Sequence, residues 1–130
     1  MVAENVDVVR QIYLGLGRGD FGLVDRYFDP AAEVYQTGLL PWAGRYYRGH
    51  RGVTDFLMTI IATVDPIGEA RQLVGAGNHV VETGRSRDLV GRGGLDAAEV
   101  QIWKLRDRKV VSLQRFVDIP PAPFMSGGQG

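Results

Sequence analysis

Residues 95–119 read LDAAEVQIWKLRDRKVVSLQRFVDI. Apolar and polar residues alternate on either side of a charged centre, which predicts two strands, 95–105 and 110–119, joined by the polar turn 106–109. Pairing Leu105 with Val110 across that turn sets Gln101 opposite Gln114, Glu99 opposite Phe116 and Ala97 opposite Asp118. Alternation then gathers Glu99, Gln101, Trp103, Gln114, Phe116 and Asp118 on one face. Val100, Ile102, Val111, Leu113 and Val117 take the other. The first set mixes aromatics with polar groups that need partners if buried, the make-up of a pocket wall; a polar, solvent-facing side is the alternative. The second set is aliphatic, and no helix is left to cover it. An exposed patch of that kind is a liability on a monomer, which predicts a homodimer through the outer sheet face.

Working outward, residues 69–76 and 79–88 flank Gly77-Asn78, a two-residue hairpin signal. Gly91, Gly93 and Gly94 form a second connection, and Pro120, Pro121 and Pro123 stop the last strand, since proline cannot continue a ladder. Upstream the period changes to that of a helix. Val9, Ile12, Tyr13 and Leu16 form one stripe of a helix over 5–16, ended by Gly15, Gly17 and Gly19. Asp20 caps a second short helix with Phe21, Val24 and Phe28 inward, stopped at Pro30. Residues 33–37 form a short strand, and 38–49 a loop rich in apolar and aromatic residues. Val53, Phe56, Leu57, Ile60, Ile61 and Val64 define the third helix. Helices followed by an antiparallel meander give an α+β fold: three N-terminal helices packed on a curved, mostly antiparallel sheet, a cone with a pocket at its open end. One domain is expected over 1–119, with a Pro/Gly-rich, disordered tail over 120–130.

The bulk composition excludes several classes. Fifteen basic and 15 acidic residues give zero net charge, which argues against nucleic-acid or membrane-surface binding. No apolar run approaches the roughly 20 residues that span a bilayer. With no cysteine and two distant histidines, His50 and His79, neither a disulfide framework nor a metal site is expected. The acidic, polar N-terminus lacks the apolar core of a signal peptide, so a cytoplasmic protein is expected.

Several strings share an order and spacing: Gly19-Asp20, Pro41-Trp42-Ala-Gly-Arg-Tyr-Tyr-Arg-Gly49, Gly52-Val53-Thr-Asp-Phe56, Ile102-Trp103-Lys-Leu-Arg-Asp107 and the run from Val110 to Asp118. Over residues 5–119 the chain resembles the SnoaL-like, polyketide cyclase-like branch of the nuclear transport factor 2-like superfamily. That resemblance implies a small-molecule pocket and no cofactor or metal. It also implies a carboxylate at the end of the last strand, here Asp118, as a general base whose pKa is raised by aromatic neighbours. Gln101 or Gln114 would hold the developing oxyanion. Tyr13, Tyr35, Trp42, Glu99, Trp103 and Phe116 would line the pocket, with plain core packing the alternative for Tyr13, Tyr35 and Trp42. Two of the superfamily's chemistries lack their residues. Tyr35-Gln36 stands where steroid isomerases carry a first-strand aspartate, and the spacing of Arg85, Arg87 and Asp88 departs from the epoxide-hydrolase Arg-x-Asp. Where many SnoaL-like members have His-x-Trp, Gln101-Ile-Trp103 cannot shuttle a proton. The expectation is a pocket for a small apolar molecule, polyketide- or terpenoid-like, acting as a cofactor-free cyclase, isomerase or hydrolase. The alternative is a non-catalytic ligand-binding or dimeric structural module of the same fold.

Overall fold

The computed structural model describes residues 2–37, 46–63, 71–87 and 96–118, with backbone only at 37, 62–63, 85–87, 96–97 and 117–118. In chain order the elements are α1 (Val2–Gly17), α2 (Leu23–Tyr27), β1 (Phe28–Thr37), β2 (Tyr46–Arg48), α3 (Gly49–Thr63), β3 (Gln72–Ala76), β4 (His79–Arg87), β5 (Asp96–Arg106) and β6 (Lys109–Asp118). The strands form one sheet in the order β2-β1-β6-β5-β4-β3. Among the described strands only the β1–β6 pair is parallel. The α+β expectation therefore holds: helices cover one face of a mostly antiparallel sheet. Among the described residues no helix is long and apolar enough to cross a membrane.

The apolar stripe of α1 buries Val8, Val9, Ile12 and Leu16. Gly15 lies where a Cβ would come within 2.8 Å of Leu23 Cδ2, so its missing side chain lets α2 close onto α1. Gly19 takes φ +68° and ends the helix. Asp20, expected to cap α2, instead holds the turn before it, accepting from the Gly22 amide at 3.0 Å and from Arg26 Nη2 at 2.7 Å; the N-cap of α2 is Gly22, which has no side chain to cap with. The second helix stops before Pro30. Phe28 is already extended, with φ −118° and ψ 136°, and opens β1 fully buried. Proline pushes the residue before it out of the helical region, so the strand starts five residues earlier than the sequence pattern suggests. Proline also donates no ladder bond, and the β1–β6 register shifts between Phe28 and Glu33, around it.

On α3, Val53, Phe56, Leu57 and Ile60 are buried and Ile61 packs against them. Val64 lies outside the described residues. His50 fixes the start of α3, with Nε2 2.8 Å from the Phe28 carbonyl oxygen and Nδ1 3.0 Å from Asp25 Oδ1. These contacts tie it to α2 and to the start of β1. The apolar stretch 38–49 is not all loop, because Tyr46–Arg48 pairs antiparallel with β1 as the sheet edge.

The final hairpin departs from the expected register in one decisive way. Leu105 does face Val110, and Asp107 and Arg108 carry the turn at φ 53° and 66°. Lys104, however, pairs with Ser112, so Val111 is an extra residue in β6. A bulge of this kind reverses the facing of every residue beyond it. Gln101 therefore faces Arg115 rather than Gln114, Val100 faces Phe116, and Ala98 rather than Ala97 faces Asp118. Leu113, assigned above to the outer face, is buried on the inner one, and Gln114 and Phe116 are exposed. Tyr35, expected in the pocket, pairs with Gln114 and is 41% exposed. Its ring lies 5.0 Å from that of Tyr46, centroid to centroid, and both hydroxyls donate to Glu33.

Candidate functional site: a buried polar row under helix α1

Four polar residues form one row across the inner face of the sheet. Gln36 pairs with Arg115, Arg115 with Gln101, and Gln101 with Glu82, on β1, β6, β5 and β4 in turn. All four are buried, as is Glu99 two positions along β5. Alternation puts Glu82 inward with Val80, and Glu99 and Gln101 inward with Trp103. The bulge at Val111 brings Arg115 inward with Leu113. Arg71, immediately before β3, enters from the side. A Cβ on Gly84 would lie 2.9 Å from Arg71 Nη1 and 3.1 Å from its Cγ, so the bare glycine leaves the bed on which this side chain lies.

Charge inside a protein is costly unless paired and hydrogen-bonded, and this cluster is both. Arg71 Nη1 donates to Glu82 Oε2 at 2.9 Å and to Glu99 Oε1 at 2.5 Å, bridging the two carboxylates. Glu82 also accepts from Tyr13 Oη at 2.5 Å and from Trp103 Nε1 at 2.8 Å. Glu99 is further held by Arg115 Nη2 and by Gln101 Nε2, the latter at 3.3 Å. Gln101 Nε2 also donates to Tyr13 Oη at 2.9 Å, and Arg115 Nη1 donates to Gln36 Oε1 at 3.1 Å. The Tyr13 ring packs edge-on against Trp103, and the Arg71 guanidinium carbon lies 5.6 Å from its centroid.

The surroundings set the protonation of these groups. Burial raises the Glu82 carboxyl above its ordinary value; the Tyr13 hydrogen bond, the Arg71 charge and the Trp103 hydrogen bond work against that rise and do not cancel it. Burial, then the charge of Glu82, holds the Tyr13 phenol well above its usual range, so it remains a neutral donor. Burial alone would lower Arg71; the Tyr13, Glu99 and Glu82 interactions outweigh it and keep the guanidinium charged.

A cavity of about 20 Å³, room for one water molecule, opens against this network. Its polar wall is Tyr13, Glu99, Gln101, Trp103 and Arg115, and its apolar wall is Leu16, Phe56, Leu57, Ile60 and Leu113. Of the residues singled out in the sequence, Tyr13, Glu99, Gln101 and Trp103 are brought together here. Gln114, Phe116 and Tyr35 are not, because the bulge and the pairing of β1 place them on the outer face. Trp42 lies outside the described residues. Asp118 ends β6 with its side chain outside them, two and four residues beyond the outward-facing Phe116 and Gln114. Arg71, Glu82 and Arg115 were not anticipated. Glu82 was within reach of the pattern, since it shares a parity with Val80 and Gly84 in β4. Among the described residues no three His, Asp or Glu side chains converge as a metal site would require.

No family model and no curated protein matches the chain. Solved structures do. A nuclear transport factor 2-like protein from Burkholderia xenovorans LB400 superposes with TM-score 0.78 and 25% identity, over 91% of this chain and 92% of that one. TerC, crystallised with polyporic acid, gives TM-score 0.72 and 21% identity over 88% and 92%. A protein from Jannaschia sp. CCS1 described as a SnoaL-like polyketide cyclase gives TM-score 0.72 and 15% identity over 91% and 88%.

Proposed function

We propose, for a chain that belongs to the nuclear transport factor 2-like superfamily, that the cavity beside the network, with room for about one water molecule, receives the reacting group of a small, mostly apolar molecule and moves a proton on it without a cofactor. The observation that carries this is the pair of buried carboxylates bridged by Arg71 beside a cavity whose opposite wall is apolar. Two carboxyls in unlike surroundings are how a fold separates acid from base. Glu99 is clamped by two guanidiniums and serves as a fixed negative charge. Glu82, with its raised affinity for a proton, reaches the cavity through Tyr13 Oη. A proton leaving the ligand lands on the Tyr13 oxygen as Tyr13's own proton passes to Glu82, and the negative charge moves from Glu82 to the ligand. The phenol ends neutral, as its environment demands. That a neighbour of this fold was crystallised with polyporic acid, and another is described as a polyketide cyclase, supports an organic substrate of cyclic, polyketide-like type. Asp118, expected from the sequence as the base, is replaced in this reading by the Glu82–Tyr13 pair.

A second reading follows from the same network. Among the described residues Glu82 and Glu99 each accept from at least three donors, which suits a rigid polar wall in a non-catalytic binding module. Incubation in D₂O with a panel of hydroxyl-bearing ring ketones and epoxides separates the two. The catalytic reading expects exchange of carbon-bound hydrogen or ring opening, followed by NMR, that Glu82→Gln and Tyr13→Phe abolish while ligand binding persists. Binding without exchange or opening for every compound would establish the binding module instead.

A further inference from the structure

The amide of Gln101 has only one orientation compatible with its neighbours. Its Nε2 faces Tyr13 Oη at 2.9 Å and Glu99 Oε1 at 3.3 Å. Glu99 is an acceptor, and the Tyr13 hydroxyl has already given its hydrogen to Glu82. Nitrogen must therefore point at both, and both amide hydrogens are spent inside the network. The carbonyl Oε1 is left, and it has no hydrogen-bond partner among the described residues. Gln101 is 4% exposed and lines the cavity. A buried carbonyl without a donor is costly, so whatever fills this cavity gains by offering it an N–H or O–H. The neighbouring atoms have the same character: the Tyr13 oxygen, having donated its hydrogen, has acceptor capacity left, and Glu99 is negative.

We propose that Gln101 is a specificity determinant that acts as an acceptor, selecting an apolar molecule that presents a hydroxyl or N–H and discriminating against its ketone or ether counterpart. This reverses the oxyanion-holding role that the sequence suggested for Gln101, because holding an oxyanion would require a donor that Gln101 no longer has. The inference rests on the pocket being a small-molecule site.

The test uses matched pairs of increasing size on the full chain: cyclohexanol against cyclohexanone, phenol against anisole, 1-naphthol against 1-methoxynaphthalene, with binding read by titration and NMR. At least one hydroxyl member should bind tenfold or more tighter than its partner and move the Gln101 side-chain carbonyl ¹³C resonance. Gln101→Leu should bring the two members of that pair to equal affinity. If that variant does not fold, the wild-type carbonyl shift decides the matter alone. Pairs that bind with equal or reversed preference, or that leave the Gln101 carbonyl unmoved, overturn the inference and leave the pocket reading intact. If no compound of any size binds, the pocket reading fails and takes this inference with it.

Discussion

Arg71→Met removes the guanidinium from between two buried carboxylates while keeping most of the stem that lies over Gly84. The Arg71 side chain is 7% exposed, and its Nη1 stands 2.9 Å from Glu82 and 2.5 Å from Glu99. At an effective dielectric of about 20, unit charges about 3 Å apart attract by roughly 5–6 kcal/mol. Returning the guanidinium to water recovers several kcal/mol of that, and breaking a buried pair costs about 3–5 kcal/mol net. Against a typical stability of about 5–15 kcal/mol, the urea midpoint should fall by about 2 M. The loss should also depend on pH. Arg71 lowers the Glu82 carboxyl against the effect of burial, so without it the folded-state pKa rises further above the unfolded value. A carboxyl raised in the fold favours the folded state fully below its unfolded pKa, about 4.3, and that contribution is lost as pH rises through the folded one. The variant's deficit should therefore be larger at pH 8 than at pH 5. Urea unfolding at the two pH values measures it; a loss under about 1 kcal/mol, within the range of ordinary surface changes, or one equal at both pH values, would refute the claim that the bridge compensates buried charge.

Three further outcomes are expected. Ile60→Ala should cost about 2–5 kcal/mol by chemical denaturation, because Ile60 is buried in the core and cannot be replaced there without a cavity. Gly75→Ala places a Cβ 2.4 Å from Val2 Cγ1 and should cost about 1–3 kcal/mol, with faster amide exchange in the first turn of α1 as the local sign. The outer sheet face carries Tyr46, Tyr35, Phe116, Val100 and Val74, each more than a third exposed, and we expect a homodimer through it. Light scattering should show a dimer at micromolar concentration and a monomer for Phe116→Glu, and a wild-type monomer would remove that expectation.

What could be read from the residues alone follows the strength of each local signal. The α3 stripe and the Gly77-Asn78 turn are written in neighbouring positions, and both were found where the pattern put them. β2 was hidden because three residues in an aromatic-rich stretch carry no period. The bulge was hidden because Val110 and Val111 are equally suited to face inward, so composition does not choose between them. That one ambiguity separates the half of the pocket wall read correctly, Glu99, Gln101 and Trp103, from the half assigned to the wrong face, Gln114 and Phe116. Arg71, Glu82 and Arg115 escaped for another reason. Charged residues read as solvated until a partner is known, and their partners lie up to 79 positions away along the chain, as Gln36 does from Arg115.

The extra residue in β6 also bears on how such a pocket changes over evolutionary time. A point substitution alters one side chain of the wall. Deleting Val111 would remove the bulge and leave Arg115 facing Gln101, but keeping it while β6 slips into regular register would exchange the entire contribution of the strand at once, turning Arg115 outward and Gln114 and Phe116 inward. A guanidinium that holds Glu99 in place would give way to an amide and an aromatic ring on the same backbone. Gain or loss of the bulge at constant length is therefore a route by which relatives of one fold acquire unrelated pocket chemistries, and chains aligned without regard to the bulge would be compared with the wrong side of the strand.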